Sequence, residues 1–222
     1  YQNRCRKLET LPSFQNFFSA THLQATHSYK KLMPKLKPLF QSKSPIMSEE
    51  VISLIDTNNN LIGNVKRSEM RFGIDFHRAT YIFIFLPDDK LLIQKRTLNK
   101  QFCPGYYGIA TGGVVAHGES YAISAQRELK EELGLDLTLT NHGLFYTEGE
   151  SYRIWGKVFS CTYDASLDGE IKMQEEEVAA IDHLSIDDIL NNKKGLNFTP
   201  DTLDALHHYV EKRLILRPTD PD

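Results

Sequence analysis

The segment GVVAHGESYAISAQRELKEELGL, residues 113–135, gathers the side chains in this sequence best suited to chemistry. Gly113 opens it, Glu119 follows, and then come Arg127-Glu128-Leu129, the pair Glu131-Glu132, and Gly134-Leu135. Glu128 stands three and four residues before Glu131 and Glu132, so on a helix these carboxylates cluster. Like charges that close repel, by roughly 0.2–0.5 kcal/mol per pair on an isolated helix. A divalent cation turns that repulsion into a ligand set. Magnesium prefers hard oxygen ligands and typically takes one or two carboxylates together with substrate phosphates. Arg127, four residues before Glu131, is placed to orient it through a two-pronged ion pair. The chemistry expected is metal-assisted attack on a diphosphate.

The helix that must present these groups carries its own signals. Ser120 is a suitable N-cap, the helix is expected to run to about Leu133, and Gly134 supplies the residue favoured in the left-handed position after it. Ala122, Ala125, Leu129 and Leu133 recur at helical spacing and are expected to face the core.

The complete array of Gly, Glu, Arg, Glu, Glu, Glu and Gly at these offsets resembles the Nudix box, and the chain is similar to the Nudix family on that motif. The resemblance implies an αβα sandwich with a mixed sheet, of α/β (α+β) class. It also implies hydrolysis of a nucleoside diphosphate linked to another group. By resemblance Glu128, Glu131 and Glu132 hold magnesium, with manganese as a substitute, and Glu131 or Glu132 also helps to activate the water. Glu119 supports the site or binds a further ion, and Arg127 orients a glutamate. Gly113 and Gly134 allow the turns at the two ends of the motif. Glu177 is a candidate for the extra catalytic glutamate that many members place downstream.

From about Val51 to Leu190 the chain also resembles the isopentenyl-diphosphate isomerase branch of the superfamily, through VISLIDTNNNLIGNVKRSEM, FHRATYIFIFLPDDKLLIQKR and FCPGYYGIATGGV. On that comparison His77 matches a histidine ligand, and Glu175 and Glu177 match a glutamate pair. The isomerase cysteine, however, is replaced by Gly112, and two further histidines by Val114 and Met70. Glycine transfers no proton, and Val and Met are no ligands for a hard cation. Cys103 lies nine residues upstream of Gly112, too far for a simple exchange. The scaffold is retained without the isomerase chemistry, so the expected activity is a hydrolase. A Nudix-fold binding module is the other alternative. His77 also reads as a structural hydrogen-bonder, His117 as loop surface, and His207 and His208 as packing or solvent residues of a last helix.

The box specifies the reaction better than the substrate, which loops outside it must read. Arg96, Phe102 and Tyr106 are the candidate substrate-binding residues, with Gln101, Tyr152 and Trp155 beside them. Aromatic residues at such spacings also build cores.

Around the box, strands are expected at Val51-Asp56 and Leu61-Val65 with a turn at Asn58-Asn60, then at Arg78-Leu86 and Leu91-Arg96 across Pro87-Asp88-Asp89. Further strands are expected at Tyr106-Ala110, Gly112-Val115, Leu135-Thr140, Gly143-Glu148, Tyr152-Tyr163 and Glu177-Leu184. Ser185 caps a helix to Leu190, and Thr199-Pro200 starts the last one, to about Arg213.

The 222 residues, 41% hydrophobic, suit one catalytic domain over residues 47–222. Residues 1–46 form a basic extension with eight Lys or Arg against Glu9 alone. The body carries 18 basic and 28 acidic residues, a balance that argues against a nucleic-acid duplex as partner. The extension has three readings: an organellar transit peptide, an ordered addition, or sequence preceding a natural start at Met47. Three cysteines suit a reducing compartment, so the cytoplasm is expected, or an organelle if the extension is a transit peptide. No apolar run approaches the roughly 20 residues that span a bilayer. The expected partner is a small-molecule diphosphate, and a homodimer is compatible with the sequence.

Overall fold

The expected turn at Asn58-Asn60 forms because Asp56 accepts the amides of Asn58 and Asn60 at 2.9 and 2.8 Å, while Asn59 takes a left-handed φ of 65°. It joins β1 (Val51–Ile55) to β2 (Leu61–Lys66) as a separate antiparallel hairpin. The structure is a computed structural model that describes residues 49–215, so the extension expected over residues 1–46 lies outside the described residues.

The main sheet is built on β3 (His77–Phe85), whose apolar run is buried on both faces. β4 (Leu91–Arg96) returns from it across a turn where Asp89 has φ 59°. β4 pairs in turn with β5 (Tyr107–Gly108) and, along its length, with β8 (Val178–Leu184), both antiparallel. On its other side β3 pairs in parallel with β7 (Tyr152–Thr162), from His77↔Ile154 to Phe85↔Thr162, and β6 (Thr140–Gly149) closes that edge antiparallel to β7. A parallel neighbour demands a long crossover, and the crossover here contains α1 (Tyr121–Leu133). Short α2 (Ala165–Asp168) follows β7, and α3 (Ile186–Leu190) and α4 (Pro200–Ile215) follow β8.

Alternation along β3 divides the core into two layers. Ala79, Tyr81 and Phe83 pack with Ala205, Leu206 and Tyr209 of α4, whereas Ile82 and Ile84 pack with Ala125, Leu129 and Leu133 of α1. Each such fully buried aliphatic side chain stabilises by about 1.5–3 kcal/mol. The result is the αβα sandwich with a mixed sheet that the sequence led us to expect.

Three local expectations are corrected. Leu135-Thr140 alternates like a strand, but only Thr140 enters one. Leu135, Leu137 and Leu139 pack on the α1 layer without a strand partner, so the apolar pattern records burial rather than pairing. Gly112-Val115 is not a continuous strand; Thr111 and Val114 make isolated bridges to Ile82 and Ala79 on either side of Gly112, which has φ 133°. Ala122 does not face the core. It stays exposed on the rim of a crevice it shares with Leu137, Leu139 and Phe159.

Candidate active site

The box helix is capped as its sequence dictates. Ser120 Oγ accepts the amide of Ile123, and Gly134 ends the helix at φ 71° with its amide on the Lys130 carbonyl. The buried side of α1 includes one acid, Glu132, beside Ser124, Ala125, Leu129 and Leu133.

Glu132 is 4% exposed, and all its hydrogen bonds fall on one oxygen. Its Oε2 accepts from Thr111 Oγ1 at 2.6 Å, Gln94 Nε2 at 2.9 Å and the Gly112 amide at 3.4 Å. Oε1 accepts no hydrogen bond among the described residues and is therefore the oxygen left for a ligand. Burial raises the Glu132 pKa, against the lowering effect of the Gln94 and Thr111 bonds.

Glu128, one turn earlier, lies against the backbone of Gly113. Burial, and then the charge of Glu132, push its pKa up to about 8. Arg127 ties the rest together. Its Nε and one terminal nitrogen grip Glu119 at 3.0 Å each, and the other nitrogen reaches Glu128 and Glu131 at 2.9 Å each. Glu131 is exposed. The three box glutamates thus differ: one buried, one pressed on the loop, one in solvent. Among the described residues no three His, Cys, Asp or Glu side chains converge tightly enough to enclose an ion in this arrangement.

Beside these acids a pocket of about 760 Å3, its open mouth included, is floored by Thr111, Gly112 and Gly113. Arg96 and Phe102 line it as candidate substrate residues, and Arg96 Nε is held by the Phe102 carbonyl at 3.0 Å. Tyr106 is not part of the lining; its carbonyl accepts the Arg96 amide at 2.9 Å. Of the other aromatic candidates Tyr152 lines the pocket, whereas Trp155 donates to the Thr57 carbonyl at 3.1 Å. Glu177 is half-buried and ion-paired with Lys100, and both charges act on Glu132. Glu175 is exposed. His77 is buried, its Nδ1 3.3 Å from the Asp75 carbonyl and its pKa lowered to about 4 by burial. His117 is exposed but bonded to Ser53 at 3.1 Å.

Sequence reasoning missed Gln94, Thr111, Arg67, Phe72 and Lys100. Gln94 carried a signal, being a polar residue in the otherwise apolar LLIQ run of β4. Arg67 opens a short 3-10 helix (Arg67–Glu69), and Phe72 and Lys100 sit in turns and loops, with no periodic signal.

A family model described as the NUDIX domain matches residues 75–206. The chain belongs to the Nudix family. An uncharacterised Nudix hydrolase of Pseudomonas aeruginosa is 37% identical over 163 residues, 73% of this chain and 94% of that one. The uncharacterised Nudix hydrolase YfcD of Escherichia coli is 36% identical over 168 residues, 75% of this chain and 90% of its own. The crystal structure of DR0079 from Deinococcus radiodurans superposes with a TM-score of 0.61 at 20% identity, over 71% of this chain and 98% of that one. A MutT protein from Methanosarcina mazei gives a TM-score of 0.53 at 19% identity, over 64% and 96%. These two likenesses carry the Nudix fold. Among the described residues no helix is long and apolar enough to cross a membrane.

Nothing in the site supplies isomerase chemistry at the cysteine position. Gly112 has φ 133°, and a Cβ there would lie 2.2 Å from the Thr80 carbonyl oxygen. Met70 accepts from Arg67 through sulfur at 3.3 Å.

Proposed function

We propose that this Nudix hydrolase cleaves, with magnesium, the diphosphate of a nucleoside diphosphate linked to another group, by attack of water on phosphorus. One observation carries the reading: Glu128 lies against Gly113 and Glu132 bonds to Thr111 and Gly112, and those three residues line a pocket that also holds Arg67, Arg96 and Lys100. The acids are short of positive charge and the neighbouring pocket is rich in it. That division suits a cation on one side and an anionic substrate on the other.

The donor set fits a hard divalent ion, because Glu119, Glu128, Glu131 and Glu132 offer only carboxylate oxygens. Glu128, Glu131 and Glu132 would hold it, with manganese as a substitute, and Glu119 would support them through Arg127. Bound there, the ion would lower the pKa of water and neutralise the diphosphate as the P–O bond breaks. Arg127 restrains Glu128 and Glu131. Thr111 and Gln94 fix Glu132 so that Oε1 is free to ligate or to take the proton of the attacking water. Arg67, Arg96 and Lys100 would receive the phosphates. Glu177, paired with Lys100, adjusts the charge that Glu132 experiences. Homodimer formation and a cytoplasmic location are compatible with this reading and are not required by it.

The test is an assay of the full chain against a panel of nucleoside diphosphate derivatives, with and without magnesium. Phosphate is read after phosphatase treatment and products are identified by mass. Magnesium-dependent cleavage that Glu132→Gln lowers by orders of magnitude is expected. Wild-type turnover in that variant would remove Glu132 from the mechanism, and silence from a folded, magnesium-binding protein would favour a binding module.

A further inference from the structure

The residue that starts β3 faces the pocket with an unused acceptor. His77 is 4% exposed and takes the first rung of the parallel ladder, opposite Ile154. Its Nδ1 lies 3.3 Å from the Asp75 carbonyl. A carbonyl oxygen only accepts, so Nδ1 carries the proton. That segment is itself held in place, because the Asp75 carboxylate accepts the Arg71 amide at 2.8 Å and the Arg71 guanidinium at 2.6 and 3.2 Å. Burial lowers the His77 pKa to about 4, and the Arg67 charge acts in the same direction. The ring is therefore neutral at physiological pH, and its lone pair sits on Nε2. No protein donor reaches Nε2 among the described residues, and the atom is not sealed from the pocket that His77 lines.

A neighbour in the pocket narrows the choice of donor. Arg67 lines the same pocket, its guanidinium against the Met70 sulfur at 3.3 Å and over the Phe72 ring at 5.4 Å. Among the described residues no carboxylate is ion-paired with it. That guanidinium disfavours a metal ion or an ammonium group at Nε2. A phosphate offers acceptors rather than donors and belongs on Arg67. What suits the two groups together is a neutral hydroxyl a few bonds from a phosphate. Every ribonucleoside diphosphate derivative carries such hydroxyls on its ribose, whatever is linked on the far side.

We propose that His77 is a specificity-determining residue whose Nε2 accepts a hydrogen bond from a ribose hydroxyl, so that ribonucleotides are chosen over deoxyribonucleotides. The proposal rests on the nucleoside diphosphate reading and adds to it which sugar the site takes. A deoxy sugar in the same place covers Nε2 and gives it no proton, leaving a buried acceptor unpaired. Among the described residues His77 makes no hydrogen bond or ion pair to an acid of the box, so its effect falls on the choice of sugar.

The experiment measures binding of adenosine, guanosine, cytidine and uridine 5′-diphosphates, and of their 2′-deoxy and 3′-deoxy forms, to the full chain by calorimetry in EDTA. With the base that binds best, wild type should prefer the ribose form over one deoxy form by about tenfold. His77→Asn keeps a donor near the Nδ1 position and deletes Nε2, and should bring that ratio near one. His77→Gln, whose amide oxygen can stand near the Nε2 position, should retain part of it. Thermal melting reports folding, and the wild-type ratio with His77→Gln decides if the asparagine variant does not fold. Equal wild-type affinity for the ribose and both deoxy forms overturns the proposal, as does a preference that His77→Asn leaves intact. Lost manganese affinity in His77→Asn with an unchanged sugar ratio would make His77 a metal ligand instead. Binding of no diphosphate at all overturns the nucleoside reading together with the proposal, whereas equal affinities overturn the proposal alone.

Discussion

Glu128 occupies space that any side chain at residue 113 would take. A Cβ built on Gly113 would stand 2.7 Å from Glu128 Oε1 and 2.8 Å from its Cδ. The box glycine is thus required here by contact, since its φ lies outside the left-handed region that favours glycine. Gly113→Ala should leave the strand ladder intact and push the Glu128 carboxylate off the loop. We expect a loss of about 1–2 kcal/mol in stability, and magnesium affinity at least several-fold weaker. Denaturant unfolding and magnesium titration check the pair, and wild-type magnesium affinity in Gly113→Ala would count against Glu128 as a ligand.

Thr111 and Gln94 act on the other key acid. Thr111→Val is nearly isosteric and deletes the 2.6 Å donor to Glu132 Oε2. A buried carboxylate that loses a donor costs about 1–3 kcal/mol, and a misdirected one loses catalysis more than binding. Thr111→Val and Gln94→Leu should therefore lower kcat by ten-fold or more while changing KM little. An unchanged kcat with a raised KM would instead place these residues in substrate contact.

Gly112 gives a sharper contrast with the isomerase branch. With φ 133° and the Thr80 carbonyl oxygen 2.2 Å from an added Cβ, Gly112→Cys must displace backbone. We expect it to destabilise by about 2 kcal/mol or more and to yield no isomerisation of an isoprenoid diphosphate. A melting temperature equal to wild type, or rearranged product by mass, would contradict this.

How much of this was legible in the sequence depended on whether a feature is local. The helix caps Ser120 and Gly134, the Asp56 turn and most strand positions follow from neighbouring residues, and the box announced its acids by spacing alone. The different fates of Glu128, Glu131 and Glu132 did not follow. Glu132 is buried because β4 and the Thr111 loop bring donors to it from 38 and 21 residues away. The pocket cations Arg67 and Lys100 are likewise assembled only by tertiary contact. Leu135-Thr140 shows the converse, an alternating pattern that reports burial faithfully and says nothing of a pairing partner.

The crowding of Glu128 makes a prediction about pH. Its folded pKa, about 8, lies above the ordinary glutamate value of 4.5, so the folded protein holds this proton in a range where the unfolded chain has lost it. Stability of the metal-free protein should therefore be greatest below about pH 4.5 as far as this group is concerned, and should fall as pH rises towards 8. Inside that window the slope approaches about 1.4 kcal/mol per pH unit for one proton. Glu132, raised in the same direction, adds to it. Magnesium favours the ionised carboxylates, so its addition should stabilise most at the alkaline end and flatten the profile. Urea unfolding in EDTA across the window, repeated with magnesium and with Glu128→Gln, measures the effect. The glutamine variant should lose much of the slope and of the magnesium response together. A metal-free profile that is already flat, or one that Glu128→Gln leaves unchanged, would show that Glu128 is not the crowded acid described here.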